Sequence, residues 1–140
     1  MKIRDIARED VVTALPDASV QDLAELMRDK NVGSVVITEE ETPVGIVTDR
    51  DITIDVVAGE QDARERIARD VMSERVIFAG PDQDVFDVVK DTADQTVRRI
   101  PVVEDAKLVG IVTFDDLYLH YVTALQKLGG VVFRESHVTE

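Results

Sequence analysis

The sequence of 140 residues contains no cysteine, and aromatic residues make up only 4% of it. Without cysteine the chain has no disulfide framework, no thiolate zinc site and no cysteine nucleophile. Its apolar runs are only a few residues long, which excludes a membrane-spanning helix. The first ten residues, MKIRDIARED, are charged where a secretory signal needs an apolar segment. We therefore expect a cytoplasmic protein of one compact domain or two small fused units.

Basic residues are also scarce. Sixteen Lys and Arg oppose 29 Asp and Glu, which leaves a formal net charge of −13, and only five of the bases are lysine. Such a charge repels nucleic acid, whose binding needs clustered Lys and Arg. An acidic surface poor in lysine is typical of a halophilic protein, because screening by concentrated salt reduces self-repulsion. A basic partner protein would explain the acidity as well, and the sequence leaves both interpretations open.

The sequence lacks the motifs that mark the common enzyme classes. It has no P-loop, no Gly-x-Gly-x-x-Gly and no Gly-x-Ser-x-Gly. Its two histidines, His120 and His137, are too isolated for a metal site or a catalytic relay. The pair Asp115-Asp116 has no fixed oxygen cage, although magnesium bound there with a phosphate is an alternative that would allow a hydrolysis. We therefore expect no enzymatic activity, no cofactor and no resident metal.

The sequence does contain an internal repeat. The heptads GIVTDRD (45–51) and GIVTFDD (110–116) share five letters and are 65 residues apart. The same offset of 65 relates further pairs without an insertion: Arg4-Asp5 and Arg69-Asp70, Glu9 and Glu74, Val11 and Val76, Pro16 and Pro81, Val20 and Val85, Asp22 and Asp87, Asp29 and Asp94, Val32 and Val97. A constant register over such a length indicates a duplication.

Each unit is predicted to fold as β-α-β-β-α. The predicted strands are VVTA (11–14), SVVIT (34–38) and VGIVT (44–48) in the first unit, and VIFA (76–79), IPVVE (100–104) and VGIVT (109–113) in the second. Apolar residues at i, i+3, i+4 and i+7 predict a helix after Ser19 and another after Asp84, which are good N-caps. A second helix begins at each heptad.

The predicted fold class is α+β, with two β-α-β-β-α repeats packed sheet against sheet under pseudo-two-fold symmetry, because a unit of this size buries too little alone. We assign residues 1–58 to repeat 1, 59–68 to a polar linker, 69–128 to repeat 2 and 129–140 to a C-terminal tail. The tail begins with Gly-Gly, and we expect its last residues to be mobile.

These features resemble a known family, the tandem pair of CBS domains called a Bateman module. The resemblance covers about residues 3–125 and rests on the paired heptads, the Asp-Val-Met-Ser lead-in (70–73) and RRIPVVE (98–104). It implies two clefts that bind adenine ligands such as AMP, ADP, ATP or S-adenosylmethionine, and a module that dimerises. It therefore predicts a stand-alone regulatory, energy-sensing module that signals to a separate effector protein.

The resemblance also implies particular ligand-binding residues. In such sites the Asp of the heptad binds the ribose, its Thr lies near the phosphate, and strand residues hold the base. Carried onto this chain, the first cleft would use Thr13, Val36, Thr48 and Asp51, and the second Phe78, Pro101, Thr113 and Asp116. Arg50 and Arg99 are further candidates, for phosphate. Strand alternation allows only one of Arg98 and Arg99 to face a cleft.

We expect the two clefts to be unequal. Residues 33–36 read Gly-Ser-Val-Val where the second copy reads Arg-Arg-Ile-Pro, so the first copy lacks the proline and both arginines. The first heptad contains Arg50, whereas the second contains Phe114. With few arginines near the heptads, AMP is electrostatically easier to hold than ATP.

A structural interpretation of the heptads stands beside the ligand site. Thr and Asp three residues apart can form a capping box, although Glu or Gln is the usual third residue. Arg50 in a first helical turn opposes the helix dipole by about 0.3–1 kcal/mol. A bound phosphate would reverse that term, and a pairing of Arg50 with Asp49 or Asp51 would offset it. The alternative function is a dimerisation or protein-interaction module that binds no ligand.

Overall fold

The computed structural model describes the backbone of residues 1–95 and 97–138, and the side chains of the same residues up to 135. After a 3₁₀ turn (Ile3–Asp5), its elements are β1 (Thr13–Ala14), α1 (Val20–Lys30), β2 (Ser34–Glu39), β3 (Thr42–Thr48), α2 (Asp49–Asp51) with a π-helical continuation (Ile52–Val57), α3 (Ala68–Val71), α4 (Val85–Thr92), β4 (Arg99–Glu104), β5 (Lys107–Thr113) and α5 (Phe114–Val138). The α+β class is confirmed.

The first helix of each repeat begins at the predicted cap. The hydroxyl of Ser19 accepts from the N–H of Asp22 at 3.1 Å, and the carboxylate of Asp84 accepts from the N–H groups of Phe86 and Asp87. The apolar faces of these helices are buried in two separate cores, one for each repeat. The periodicity therefore predicted both helices and the faces that they bury.

The two sheets differ in their first strand. In the first repeat, β1 pairs in parallel with β2, and the N–H of Val36 donates to the carbonyl of Val12 at 3.0 Å. The residue equivalent to Val36 is Pro101, which has no N–H to donate. The predicted strand 76–79 is accordingly reduced to a single bridge between Ala79 and Val102. The prediction of a full strand there was wrong.

Each repeat begins with a lead-in segment, residues 3–8 in the first repeat and 68–73 in the second, and each segment packs on the other repeat. Ile3 is fully buried in the core of the second repeat, whereas Ala68 is fully buried in the core of the first. The N–H of Ile3 donates to Gln83 O at 2.9 Å, and the N–H of Ala68 donates to Ala18 O at 2.8 Å. Both the donors and the acceptors of these bonds are 65 residues apart, so the exchange obeys the pseudo-two-fold symmetry.

The sheets meet along β3 and β5. Their hairpin turns touch at one end of this seam, where the N–H of Leu108 donates to Glu41 O at 2.9 Å and the Lys107 ammonium pairs with the Glu41 carboxylate at 3.0 Å. The predicted packing of sheet against sheet is thus confirmed.

Helix α5 extends further than expected. It continues through Gly129 and Gly130 to Val138, so no helix end marks the predicted start of a tail at residue 129. Among the described residues, no atom beyond the local helix backbone lies within 4 Å of a Cβ added at either glycine, so both lie on an uncovered part of the helix surface. The prediction of mobile last residues falls partly on residues 139 and 140, which lie outside the described residues. Within the part of the chain that the structure describes, no helix is long and apolar enough to cross a membrane.

Candidate functional site

The first heptad forms a complete capping box. The hydroxyl of Thr48 accepts from the N–H of Asp51 at 3.1 Å, and the Asp51 carboxylate accepts from the N–H of Thr48 at 2.8 Å. The structural interpretation of this heptad is therefore correct. One oxygen of Asp51 is used in the cap, and the carboxylate still lines a cleft, so capping does not exclude ligand binding.

The second heptad forms only half of the box. The hydroxyl of Thr113 accepts from the N–H of Asp116 at 3.1 Å, but the Asp116 carboxylate accepts instead from Arg8. Two parallel bonds join them, from Nε at 2.9 Å and from Nη2 at 2.8 Å. The hydrogen bonds from Arg8 lower the pKa of Asp116, with a smaller contribution from Thr113, although partial burial opposes the shift. Asp116 therefore loses its charge at a lower pH than a free aspartate does.

The first cleft lies between the repeats and has a volume of about 700 Å³. It is lined by Ile46, Thr48, Asp49, Arg50, Asp51, Ser73, Arg75, Val76, Ile77, Val97, Arg98, Arg99 and Asp115. Its wall thus combines apolar side chains with four arginines and three aspartates. The chain has a formal net charge of −13, yet four of its eleven arginines line this one cleft.

Three of these arginines lack a partner within the protein. Among the side chains that the structure describes, no carboxylate lies within 4.0 Å of the guanidinium groups of Arg50, Arg75 or Arg99. Arg98 alone is paired, with Asp115 at 3.3 Å. The proposed pairing of Arg50 with a neighbouring aspartate is therefore absent, and Asp49 accepts from the backbone N–H of Arg50 at 2.8 Å. The cleft offers positive charge to an anion.

The second cleft is smaller, about 380 Å³. It is lined by Arg8, Asp10, Val11, Val12, Lys30, Asn31, Val32, Gly33, Ser34, Val36, Arg99, Ile111, Thr113, Asp115 and Asp116. Three cations face three carboxylates here, and the bonded pair of Arg8 and Asp116 is among them. Its charges are therefore balanced within the protein.

The structure groups the predicted residues differently from the sequence analysis. Thr48 and Asp51 lie with Ile77 and Arg99 of repeat 2, whereas Thr113 and Asp116 lie with Val36 of repeat 1. Each cleft therefore combines the heptad of one repeat with strand-region residues of the other. Strands β3 and β5 contact each other where the repeats meet, and each second helix begins directly after one of these strands.

Three predicted residues line neither cleft. Thr13 and Phe78 are exposed, and Phe78 is 46% accessible. Their neighbours Val12 and Ile77 line the clefts instead, because alternate residues of an extended segment face opposite sides. Pro101 is fully buried in the sheet.

The comparison of Arg50 with Phe114 also needs correction. At the constant offset of 65, Arg50 corresponds to Asp115 and Phe114 corresponds to Asp49. Phe114 packs against the core of the second repeat and does not line a cleft. The two heptads do differ at the sixth position, where the first has the cation Arg50 and the second has the carboxylate of Asp115.

Both Arg98 and Arg99 line the first cleft, contrary to the expectation from strand alternation. Strand β4 begins only at Arg99, so Arg98 lies outside the regular strand. Arg99 borders both clefts, and its guanidinium lies directly over Gly33, where an added Cβ would be 3.0 Å from Nη2. Glycine at 33 thus leaves room for the arginine of the other repeat.

Sequence reasoning missed Arg8, Ser73 and Arg75 as cleft residues. A signal was available for the first two, because Arg8 and Ser73 are 65 residues apart and hold equivalent positions before each first strand. Their placement depends on the exchange of lead-in segments. Among the described residues, no cluster of His, Cys, Asp and Glu is arranged to hold a metal ion.

Comparison with known proteins agrees with this architecture. The family model of the CBS domain matches twice, at residues 3–57 and 68–122. The chain belongs to the CBS domain family. The two matches cover the paired heptads and both exchanged lead-in segments.

Individual CBS proteins resemble the whole pair. An uncharacterized protein of Methanopyrus kandleri is 42% identical over 119 residues, which cover 84% of this chain and 61% of that protein. This chain therefore spans less than two thirds of the length of that relative. The CBS domain-containing protein YhcV of Bacillus subtilis is 30% identical, over 96% of this chain and 95% of its own length.

Among solved structures, the CBS domain pair of protein MJ0100 has a TM-score of 0.79 and 26% sequence identity, covering 89% of this chain and 98% of that one. That pair was crystallised in complex with 5-methylthioadenosine and S-adenosyl-L-methionine. The tandem CBS fold of this chain is thereby established.

Proposed function

We propose that this CBS pair is a regulatory module that binds an adenine nucleotide in its first cleft. The observation that carries the proposal is the convergence of Arg50, Arg75 and Arg99, without partners among the described side chains, on a cleft of about 700 Å³. Unpaired cations in an otherwise acidic chain favour an anionic ligand. The volume lies within the range of about 300–1,000 Å³ typical of small-molecule sites.

The wall of the cleft suits the two ends of a nucleotide. Ile46, Ile77 and Val97 supply apolar surface for a base, and Asp51 offers a carboxylate oxygen for ribose hydroxyls. The arginines supply charge-assisted hydrogen bonds for phosphate. The MJ0100 pair, which binds adenosine-containing ligands, supports adenine as the base.

The number of phosphates is left to experiment. The preference for AMP over ATP assumed few arginines near the heptads, and the structure brings four to the first cleft. AMP, ADP and ATP are therefore all candidates. Uncharged adenosine should bind more weakly than any of them, because it leaves the arginines without a partner.

Regulation would follow from the composite wall. A ligand in the first cleft contacts the heptad of repeat 1 and the segments 75–77 and 97–99 of repeat 2, so it favours one relative orientation of the repeats. A ligand shifts such an equilibrium only by its differential affinity for the two arrangements. An effector protein that recognises one arrangement would then respond to the nucleotide.

Isothermal titration calorimetry with adenosine, AMP, ADP and ATP tests the proposal, with GMP as the control for the base. We expect binding of at least one adenine nucleotide at micromolar dissociation constants and a much smaller heat with adenosine. Absence of binding by every adenine ligand, in both low and molar salt, would refute the proposal.

A second candidate function, assembly into a homodimer, rests on helix α5. Its residues Tyr118, Leu125, Leu128 and Val132 lie on one stripe at spacings of three, four and seven, and all are more than half exposed. An apolar stripe of this length on a free surface marks an interface.

A second copy of the chain is the proposed occupant of this stripe. Residues 117–134 contain no Asp or Glu, although the chain has 29 of them. Two chains that each carry a net charge of −13 repel each other least when they meet through a segment without acidic residues. The spacing of the stripe also suits helix pairing, with Leu125 and Val132 separated by one heptad.

Analytical ultracentrifugation measures this assembly. The wild-type chain should sediment as a dimer of about twice 15.6 kDa, and Leu125→Glu should sediment as a monomer because it buries an unpaired charge at the seam. The matched control Gln126→Glu adds the same charge beside the stripe and should remain dimeric. A monomeric wild-type chain, or a dimeric Leu125→Glu variant, would rule out α5 as the interface.

A further inference from the structure

We propose that Arg8 closes the second cleft from within the protein, so that each chain takes a single nucleotide, in the first cleft. This inference rests on the proposed function and adds its stoichiometry and the residue that sets it. Arg8 donates from Nε and Nη2 to the two carboxylate oxygens of Asp116, the residue of the second heptad equivalent to Asp51. The guanidinium engages both carboxylate oxygens, so a ribose has to compete with it for Asp116.

The backbone holds Arg8 in this position. Its N–H donates to Ile111 O at 2.9 Å, and its carbonyl accepts from the N–H of Ile111, also at 2.9 Å. These two bonds hold Arg8 beside β5 at Ile111, which precedes Thr113 by two residues. The Arg8 side chain belongs to the folded lead-in segment. It reaches Asp116 without any movement of the repeats.

The first repeat shows what the same site looks like without this arginine. At the equivalent position, the N–H of Ser73 donates to Ile46 O at 2.9 Å, and the N–H of Ile46 donates to Ser73 O at 3.1 Å. The backbone pairing is the same, but the serine side chain is short and neutral. The Asp51 carboxylate is left to accept from the N–H of Thr48.

The two clefts differ as this substitution predicts. The cleft with Ser73 measures about 700 Å³ and holds three arginines without a partner among the described side chains. The cleft with Arg8 measures about 380 Å³, and Arg8 itself lines it. One residue at one repeat position therefore distinguishes a larger cleft from a smaller one whose heptad carboxylate is already paired with a guanidinium.

Exchanging the two residues gives a complete set of variants. Calorimetric titration with AMP should find one site per chain in the wild type, none of wild-type affinity in Ser73→Arg, and one in the double variant. Arg8→Ser should gain a second, weaker site, because its second cleft keeps two cations but faces three carboxylates. For Ser73→Arg we expect a loss of affinity of at least about tenfold, the order of a charge-assisted pair. Arg8→Gln, which keeps a hydrogen-bonding side chain but is shorter and uncharged, should also open the second site.

Two sites in the wild type, or one site in both Arg8→Ser and Arg8→Gln, would overturn the inference. Urea midpoints close to that of the wild type establish that each variant is folded. If the wild type binds no adenine ligand at all, the proposed function fails, and a measurement without nucleotide then decides the role of Arg8.

That measurement uses the absence of cysteine. Ser34 lines the second cleft, so Ser34→Cys places a unique thiol there. Its rate of labelling by a small neutral thiol reagent should rise several-fold when Arg8→Ser is added, because the guanidinium no longer occupies part of the cleft. An unchanged rate would show that Arg8 does not close the cleft, whatever the nucleotide result.

Discussion

The guanidinium of Arg8 donates two hydrogen bonds to the carboxylate of Asp116, from Nε to Oδ2 at 2.9 Å and from Nη2 to Oδ1 at 2.8 Å. The two residues are 108 positions apart and belong to opposite repeats. The pair joins the lead-in segment of the first repeat to the heptad of the second. It therefore contributes to the docking of the repeats as well as to the character of the second cleft.

Removal of this pair should lower stability in a way that depends on pH. We expect Asp116→Asn to reduce the free energy of unfolding by about 1 kcal/mol at pH 7, the upper end for an exposed ion pair, since Arg8 is 65% exposed. Because the pKa of Asp116 is lowered in the folded state, its contribution is complete above the unfolded value near 4. It is lost as the pH falls through the lowered folded value.

Urea unfolding of the wild type and Asp116→Asn from pH 7 down to pH 2 measures this dependence. The difference between the two proteins should be constant above about pH 5 and shrink below about pH 4. Asp10, Lys30, Arg99 and Asp115 border the same cleft, so Asp10→Asn is the matched control for loss of a carboxylate outside the pair. A difference that grows toward acid would contradict the assignment.

The unpaired arginines of the first cleft should carry the affinity for phosphate. Arg75→Ala and Arg99→Ala should each weaken nucleotide binding by about tenfold or more, because a hydrogen bond to a charged group contributes about 1.5–3 kcal/mol. Adenosine binding should change little. The measurement is calorimetric titration of each variant with nucleotide and with adenosine.

Arg28→Ala is the matched control for the loss of one positive charge. Arg28 lies on α1, is 71% exposed and pairs with Asp29 at 2.8 Å. Its removal should leave nucleotide affinity unchanged at moderate salt, where charges beyond about 10 Å are screened. An equal loss of affinity in Arg28→Ala would mean that the overall charge, and not the cleft, governs binding.

Two glycines allow close packing of residues that precede a first strand and should be intolerant of a side chain. At Gly110 an added Cβ would lie 3.0 Å from the carbonyl oxygen of Arg8, and at Gly45 it would lie 2.5 Å from the sulfur of Met72. We expect Gly110→Ala to destabilise the fold by about 1–3 kcal/mol, as overpacking does. The change should also displace Arg8 and with it the pair to Asp116.

Gly129→Ala serves as the control, because nothing lies within 4 Å of a Cβ at that position of α5. Alanine should there stabilise the helix by up to about 1 kcal/mol. Thermal and urea unfolding report both effects. Equal tolerance of alanine at 110 and 129 would show that the lead-in segment does not pack against β5 as described.

The acidity of the chain predicts a response to salt. If the −13 charge reflects adaptation to concentrated salt, the melting temperature should rise between 0.1 M and 2 M sodium chloride, where the screening length falls from about 10 Å to below 3 Å. A melting temperature that is already maximal at 0.1 M would instead favour a basic partner as the reason for the acidity.

Local chemistry made much of the fold predictable from the sequence. The caps at Ser19 and Asp84 and the faces of α1 and α4 follow from patterns within a few residues of one another, and the constant offset of 65 extends each local prediction to the other repeat. The capping interpretation of Thr48 and Asp51 was correct for the same reason.

The composition of the clefts could not be predicted in the same way, because it depends on which repeat each segment packs against. Repeat symmetry makes Arg8 equivalent to Ser73 but leaves open whether either lies in its own repeat or in the other. In the structure each lead-in segment packs on the opposite repeat, which brings Arg8 to Asp116, 108 residues away in the sequence. The proline that abolishes the strand at 76–79 acts through a hydrogen bond that Pro101 cannot donate.

The claim that a nucleotide occupies the first cleft is tested most directly by amide chemical shifts during a titration with AMP, followed by ADP and ATP. We predict perturbations at residues 48–51, 75–77 and 97–99, with residues 11–12 and 34–36 of the second cleft unmoved. Shifts centred on the second cleft, or a spectrum that no adenine nucleotide changes, would contradict the account.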